Sequence, residues 1–422
     1  MMRALLIGIA VGICVTTAHL TGLLELLEAR TLDLRFDARG PTPPKAPIVL
    51  VIVDDDSLAA TGRPWPWPRS QHARLLDQIA TDNPLAIGVE FPLAEKTQDG
   101  EDRLLGAAIA RASRVVLRET LRTFVSRAGV GPAHRREIVE SPIPAVRAGA
   151  ASVGFVEWTP DADGVVRSSA LARHHAGEAR LSFVQRIFDL AARPLGVENS
   201  RTAHYAEVRI NYRGPRGTFP AYAYHQVYRG EIPPGTFAGR IVLVGLDAPS
   251  LAERIPTPVA GSGRVFGWER TKRPDRAEGD ARLMSALEIQ ANLLDTLLAD
   301  DGVRRASRRT TVAVLWLFSI AGAAMARCLR PWLTAAGVGA LCGGYLALAQ
   351  FVFTRCTVWI EVTPALLAML LGVGAMLLMD WLRRFGLGRD ASRSSAPPPL
   401  GGDTDASPPN RPSGGAPAGG AA

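Results

Sequence analysis

Residues 48–56 read Ile-Val-Leu-Val-Ile-Val-Asp-Asp-Asp. Six consecutive apolar, mostly β-branched residues predict a strand buried on both faces, since a strand with one wet face alternates with polar residues. Downstream, His72 to Ala80 predicts a helix with Leu75, Leu76 and Ile79 on one side and Ser70 as its N-cap. Leu85 to Phe91 reads as a second strand, Asp102 to Ala112 as a second helix and Arg114 to Leu117 as a third strand. Such alternation implies an α/β domain with a mostly parallel or mixed sheet covered by helices. Further strands are expected at Ser152 to Trp158, Val165 to Arg173, Val208 to Tyr212 and Ile241 to Gly245, and helices at Ser182 to Ala192 and Arg282 to Leu298. The last carries Leu283, Leu287, Leu294 and Leu298 at helical spacing. It reads either as an ordinary core helix or as one that passes motion to the apolar segment behind it.

The 422 residues are 47% hydrophobic and 21% charged, which excludes a wholly disordered or fibrous chain. Apolar runs crowd both ends. Spans are expected at 4–24, 310–326, 332–353 and 357–379, around a soluble domain at 30–301, with a Pro/Gly/Ser-rich tail at 391–422 expected to be disordered. The first run reads as a signal anchor, with a signal peptide cleaved near Thr16-Thr17-Ala18 as the alternative. One span before the domain and three after it place both ends on one side. Arg327, Arg330, Arg383, Arg384 and Arg389 favour the cytoplasm for that side, whereas Arg304, Arg305, Arg308 and Arg309 argue against it. The net charge of +8 comes largely from such flanking arginines, so it does not indicate nucleic-acid binding. Cys14, Cys328, Cys342 and Cys356 all lie in or beside apolar runs, which leaves the central region without a disulfide framework or a thiolate metal site. Glu361, the one acid in an expected span, reads as an interfacial carboxylate reaching water next to Trp359. Gly343, Gly344, Gly372 and Gly374 read as points of close helix packing.

Asp54, Asp55 and Asp56 end the first strand, on the sheet edge where ligands usually bind. They suit either a hard cation or, more simply, one acid bound to loop amides with two in solvent. Glu90 and Glu95 end the second strand in the same position and are candidates to join Asp54 in a carboxylate cluster near Arg69. Residues 62–69, Gly-Arg-Pro-Trp-Pro-Trp-Pro-Arg, are stiffened by proline and carry the flat surfaces of Trp65 and Trp67, as a binding wall or as a lid packed over the sheet edge. Asp161-Ala162-Asp163-Gly164 lacks the downstream acid of a calcium loop and reads as a tight turn. No Gly-x-Ser-x-Gly elbow and no metal-ligand spacing of histidines occurs.

Taken together, these segments resemble the second class of CHASE domains, the extracellular sensor associated with cyclases and histidine kinases. The resemblance rests on residues 48–58, 62–76 and 86–95, then Asp161 to Arg167, Ile210 to Phe219, Gly239 to Gly245, Thr257-Pro258 and Leu287 to Leu298, and it covers roughly Leu32 to Leu298. Glu90 stands where the family usually has Asp, and Leu93 where it has Phe. The family plan of one span, an external sensor and three spans implies a bacterial inner-membrane receptor with its sensor outside and its C-terminus cytoplasmic. It implies no catalysis and no cofactor. Asp54, Trp65, Trp67, Arg69, Glu90 and Glu95, from the strand ends and the proline-tryptophan segment, are the expected ligand contacts. The expected partners are membrane lipids, an unknown small-molecule or envelope signal, a second copy of the chain, and a separate histidine kinase or nucleotide cyclase, because the family's usual output module is not recognised after the last span. Gly401-Gly402-Asp403 does not complete a diguanylate cyclase signature. A membrane-anchored enzyme using the carboxylates with a metal, and a small transport component using Glu361, stand as alternatives.

Overall fold

The computed structural model describes residues 2–126, 134–175, 177–197, 200–204, 206–259 and 282–384. The expected tail at 391–422, with Gly401-Gly402-Asp403, lies outside the described residues. The chain begins with α1 (Met2–Leu20) and α2 (Glu25–Arg39), which are separated by a turn at Gly22, where φ is +79°. A sheet domain follows. Its strands are β1 (Ile48–Val53), β2 (Ala86–Val89), β3 (Val115–Ser126), β4 (His134–Glu140) and β5 (Ser152–Val156). Three short strands come next: β6 (Ser168–Ala170), β7 (Ala172–His175) and β8 (Glu178–Leu181). The remainder are β9 (Glu207–Arg209), β10 (Ala221–Ala223), β11 (Ile241–Leu246), β12 (Arg254–Pro256) and β13 (Leu283–Ser285). The helices between them are α3 (Asp55–Thr61), α4 (Arg69–Ala80), α5 (Asp99–Ala112), α6 (Pro144–Arg147), α7 (Phe183–Ala191), α8 (Tyr224–Arg229) and α9 (Ala286–Leu298).

The main sheet has the order β10-β1-β11-β2-β3-β4, with β5 also on β3. Every pairing in it is parallel except β3 with β4. β1 shows why its sequence is uninterrupted by polar residues. Ile48, Leu50 and Ile52 enter a core with α2, α7 and α9, while Val49, Val51 and Val53 enter a second core with α4, α5 and α8.

Three elements of the domain differ from the sequence reading. Val165 to Arg173 is not one strand, because partners change at Leu171: β6 pairs with β9, whereas β7 turns at Gly177 to pair with β8. Leu283 to Ser285 is a strand on β12, and Ser285 then caps α9. The residues Ser285-Ala-Leu-Glu288 form the N-terminal capping pattern that the leucine spacing obscured. α9 itself is buried over its whole length from Leu287, so it is a core helix. Ser70 does not cap α4. It lies inside the first turn, and its N–H donates to Glu101 Oε2 at 2.6 Å.

After the domain, β14 (Arg304–Arg305) leads into α10 (Arg308–Cys328), α11 (Pro331–Cys356), β15 (Val358–Trp359) and α12 (Thr363–Arg384). Among the described residues, four helices are long and apolar enough to cross a membrane: α1, α10, α11 and α12. The last was expected from Thr357 but begins at Thr363. The intervening residues form β15, which pairs in parallel with β14. α1, α10 and α12 pack through small residues. A Cβ on Gly372 would lie 2.7 Å from Ser319 O and one on Gly322 would lie 2.6 Å from Met369 O, while Ser319 Oγ donates to Gly8 O at 2.8 Å. Gly343, Gly344 and Gly374 face open space instead, so of the four glycines read as packing points only Gly372 is one.

A Cβ on Gly106 of α5 would lie 2.2 Å from the Ala145 carbonyl oxygen, whereas Gly100 in the same helix has nothing within 4 Å. Gly106→Ala is therefore expected to destabilise the protein by about 1–3 kcal/mol, and Gly100→Ala to leave stability unchanged or slightly raised. Thermal unfolding of the detergent-solubilised protein checks both.

Candidate functional site

At the sheet's carboxyl edge the acids do not gather. Asp54 accepts from Ser57 N at 2.8 Å and caps α3. Glu90 is buried and takes Arg118 Nη1 at 2.7 Å; burial pushes its carboxyl up, with Arg118 opposing. Glu95 is exposed, and its backbone carbonyl accepts from Arg69 Nη2 at 3.1 Å. Arg69 is itself buried, with its Nε 3.7 Å from Asp102 Oδ1. Among the described residues no group of three His, Cys, Asp or Glu is placed to hold a metal ion. The carboxylate cluster of Asp54, Glu90 and Glu95 is thus corrected: a cap and an ion pair engage the first two separately.

The proline-tryptophan segment is a lid. Trp65 stands 5.3 Å from Trp67, 5.5 Å from His72 and 5.5 Å from Phe91, while Trp67 is 4.8 Å from Tyr224, ring centre to ring centre. Trp67 is fully covered and donates its indole N–H to Arg63 O at 3.2 Å. His72 shares a 2.8 Å hydrogen bond with the Tyr224 hydroxyl, and burial pulls its pKa down to about 3, so it stays neutral at physiological pH. Behind this lid the cavity is only ≈ 10 Å³, room for about one water.

A denser set of polar contacts sits at the other end of the domain, where it meets the four long helices. α2 carries acids in its first turn and Arg39 in its last, as the helix dipole favours. Those groups act across elements. Glu25 receives Arg305 Nη1 and Nη2, both at 2.8 Å. Glu28 is almost completely buried and accepts from Trp359 Nε1 at 3.0 Å, Val362 N at 3.2 Å and Thr363 N at 2.9 Å. It thereby supplies the anionic cap for α12. Arg35 donates to Ala349 O at 3.0 Å and Ile360 O at 2.7 Å. Toward the domain, Asp33 binds Arg167 through two 2.8 Å bonds, and Arg39 donates to Asn211 Oδ1 at 2.7 Å and to Tyr212 O. Arg167 also takes Asp161 and Asp163, so the tight turn expected at Asp161-Ala162-Asp163-Gly164 is present and serves as its clamp.

Glu361 belongs to the same junction. It precedes α12 and is 1% exposed, so it does not reach water as the sequence reading held. Arg305 Nε donates to its Oε1, His19 Nδ1 lies 3.3 Å from its Oε2, and Tyr345 donates to its carbonyl at 2.8 Å. The end of α1, the lead-in to α10, the middle of α11 and the approach to α12 therefore meet at one residue.

A sensor module held at both ends by its flanking helices is the architecture in view, and the CHASE2 domain model matches residues 9–326 of the 422. The chain belongs to the CHASE2 family. No curated protein and no solved structure matches it. CHASE2 is a non-catalytic sensor domain, so this protein is a membrane sensor that relays a signal across the membrane. It lies in a bacterial inner membrane with the sheet domain periplasmic and the cytoplasmic end of α12 opposite. Sequence reasoning missed the junction: Glu28, Asp33 and Arg35 lie in a stretch whose charges look like an ordinary solvated face. The available signal was Glu361 with the arginines before α10, two sets of charges set against apolar runs.

Hydrogen bonds from Arg167, aided by the Val165 amide, hold the Asp163 carboxyl down at about 2, below its ordinary 3.8. A depressed carboxyl contributes stability that is fully present above the ordinary value and is lost as pH falls through the folded one. Thermal stability of the CHASE2 protein is accordingly expected to fall as pH drops from 4 toward 2. Asp163→Asn is expected to lower the plateau and flatten that decline, measured by a pH series of melts.

Proposed function

We propose that α2 is the strut by which this CHASE2 protein transmits its signal. A signal reaching the periplasmic domain shifts β6 and β9 against α2, and α2 passes the displacement to the span ends through Glu25, Glu28 and Arg35. The observation that carries this reading is the double attachment of α2, through Asp33 to Arg167 on one side and through Glu28 to Trp359, Val362 and Thr363 on the other. An element bonded to both partners responds to either of them. The output is proposed to pass to a separate histidine kinase or nucleotide cyclase.

The edge around the tryptophan lid is proposed as the signal-receiving surface. Trp65 is half-buried and Glu95 exposed, so these two meet an incoming group directly. Asp54, Trp67, Arg69 and Glu90 act from behind, fixing the lid on the sheet. A transport role is less well supported, since Glu361 lies outside the helices and is engaged by Arg305 and His19. The protein is further proposed to work as a homodimer, because Leu27 and Leu34 of α2 stand 57% and 65% exposed beyond the end of α1, and a second copy would cover them.

Asp33→Asn keeps the side chain's volume but removes one carboxylate from Arg167. In nanodiscs it is expected to speed amide hydrogen exchange at residues 304–306 and 358–362, beyond the domain. Acceleration confined to the domain contradicts the strut. The native mass of the same sample, expected at twice that of one chain, checks the dimer.

A further inference from the structure

A cleft of ≈ 280 Å³ lies where the start of α2, the β6–β9 pair and Trp359 meet. Its lining includes Glu25, Asp161, Asp163, Arg167, Glu207 and Arg209, with an apolar wall of Leu26, Ala29 and Leu32. Most of this charge is already engaged, Glu25 by Arg305 and both aspartates by Arg167. Arg305, helped by the charge of Arg209, holds Glu25 below the ordinary carboxylate range. Two charged groups remain. Glu207 accepts a hydrogen bond from Ser168 Oγ but joins no ion pair among the described residues. Arg209 makes neither a hydrogen bond nor an ion pair through its side chain among those residues; its guanidinium lies 5.7 Å from the centre of the Trp359 ring. Glu207 and Arg209 are two apart on β9, so both side chains leave the same face of the strand.

We propose that this cleft binds a zwitterion, an ammonium joined by a short link to a phosphate or carboxylate. The ammonium meets Glu207 and the anion meets Arg209, a donor fork suited to oxyanions. The uncharged part rests on Leu26, Ala29 and Leu32. A single cation and a single acid left over on one face select a ligand with both charges; a simple anion or cation leaves one of them unmatched in a partly closed space. The volume admits a group of headgroup size. Gly22 and Glu25 follow directly on α1, so the cleft stands at the level where a zwitterionic lipid headgroup and a free periplasmic zwitterion are both available. The occupant touches α2, β9 and β15 together, which makes it a co-ligand of the junction. Its binding does not depend on the strut reading.

The test uses the full chain with two probes, free phosphoethanolamine added to detergent-solubilised protein, and nanodiscs of phosphatidylethanolamine or phosphatidylglycerol. The readouts are the unfolding temperature and lipid retained in native mass spectra. At least one zwitterionic probe is expected to bind, and Glu207→Gln and Arg209→Gln are each expected to weaken it about tenfold, the loss of one charge-assisted hydrogen bond. Binding of phosphoethanolamine without lipid identifies a soluble zwitterion, and binding of phosphatidylethanolamine alone identifies the membrane as its source. Failure of both probes on the wild-type protein overturns the proposal. So does affinity unchanged in the two variants, or retention of phosphatidylglycerol by the wild-type protein equal to that of phosphatidylethanolamine.

Discussion

Two carboxylates on α2, Glu28 and Asp33, are almost completely buried. A buried carboxylate is tolerated only where donors surround it, since its desolvation costs several kcal/mol. Glu28 finds its donors at the start of α12 and on Trp359, and Asp33 finds Arg167. The two sets of donors lie on different bodies, one in the membrane helices and one in the sheet domain. Satisfying both fixes α2 in a single position between them, and the short β14–β15 pair, the burial of Glu361 and the bonds of Arg39 all follow that placement. Such a charged junction is stiff while intact and costly to break one partner at a time.

The central strands of the sheet were legible because they are buried on both faces, whereas the edge strands β4 and β10 were not read from the sequence. Ile48 to Val53 and Ile241 to Leu246 have no polar position to blur their limits, and their parallel pairing follows from the helices between them. Legibility failed where tertiary pairing overrode local pattern. Leu171 marks a change of partner that no periodicity records, and the leucine spacing of 283–298 concealed a strand and a cap. Thr357 to Val362 are apolar enough to extend a span, yet Trp359 and Glu361 turn away to meet Arg305 and α2.

The functional regions divide in the same manner. The tryptophan lid could be found in the sequence because proline and tryptophan are conspicuous in composition, although which side chains it covers could not. The junction could not be found, because its partners are separated by some three hundred residues: Glu28 from Trp359 and Arg35 from Ile360. Charges beside an apolar run look alike whether they face water or one another. The family resemblance supplied the order of parts, one span, a sensor and three spans, but not the contacts that join them.

The central claim is that the sheet domain and the span ends are energetically linked through α2. The direct measurement is a double-mutant cycle on Asp33→Asn and Glu361→Gln, with unfolding free energies taken on the detergent-solubilised full chain. Asp33 and Glu361 share no hydrogen-bonding partner among the described residues, and distant independent sites add to within about 0.3–0.5 kcal/mol. The account predicts a coupling energy clearly larger than that; strict additivity would contradict it.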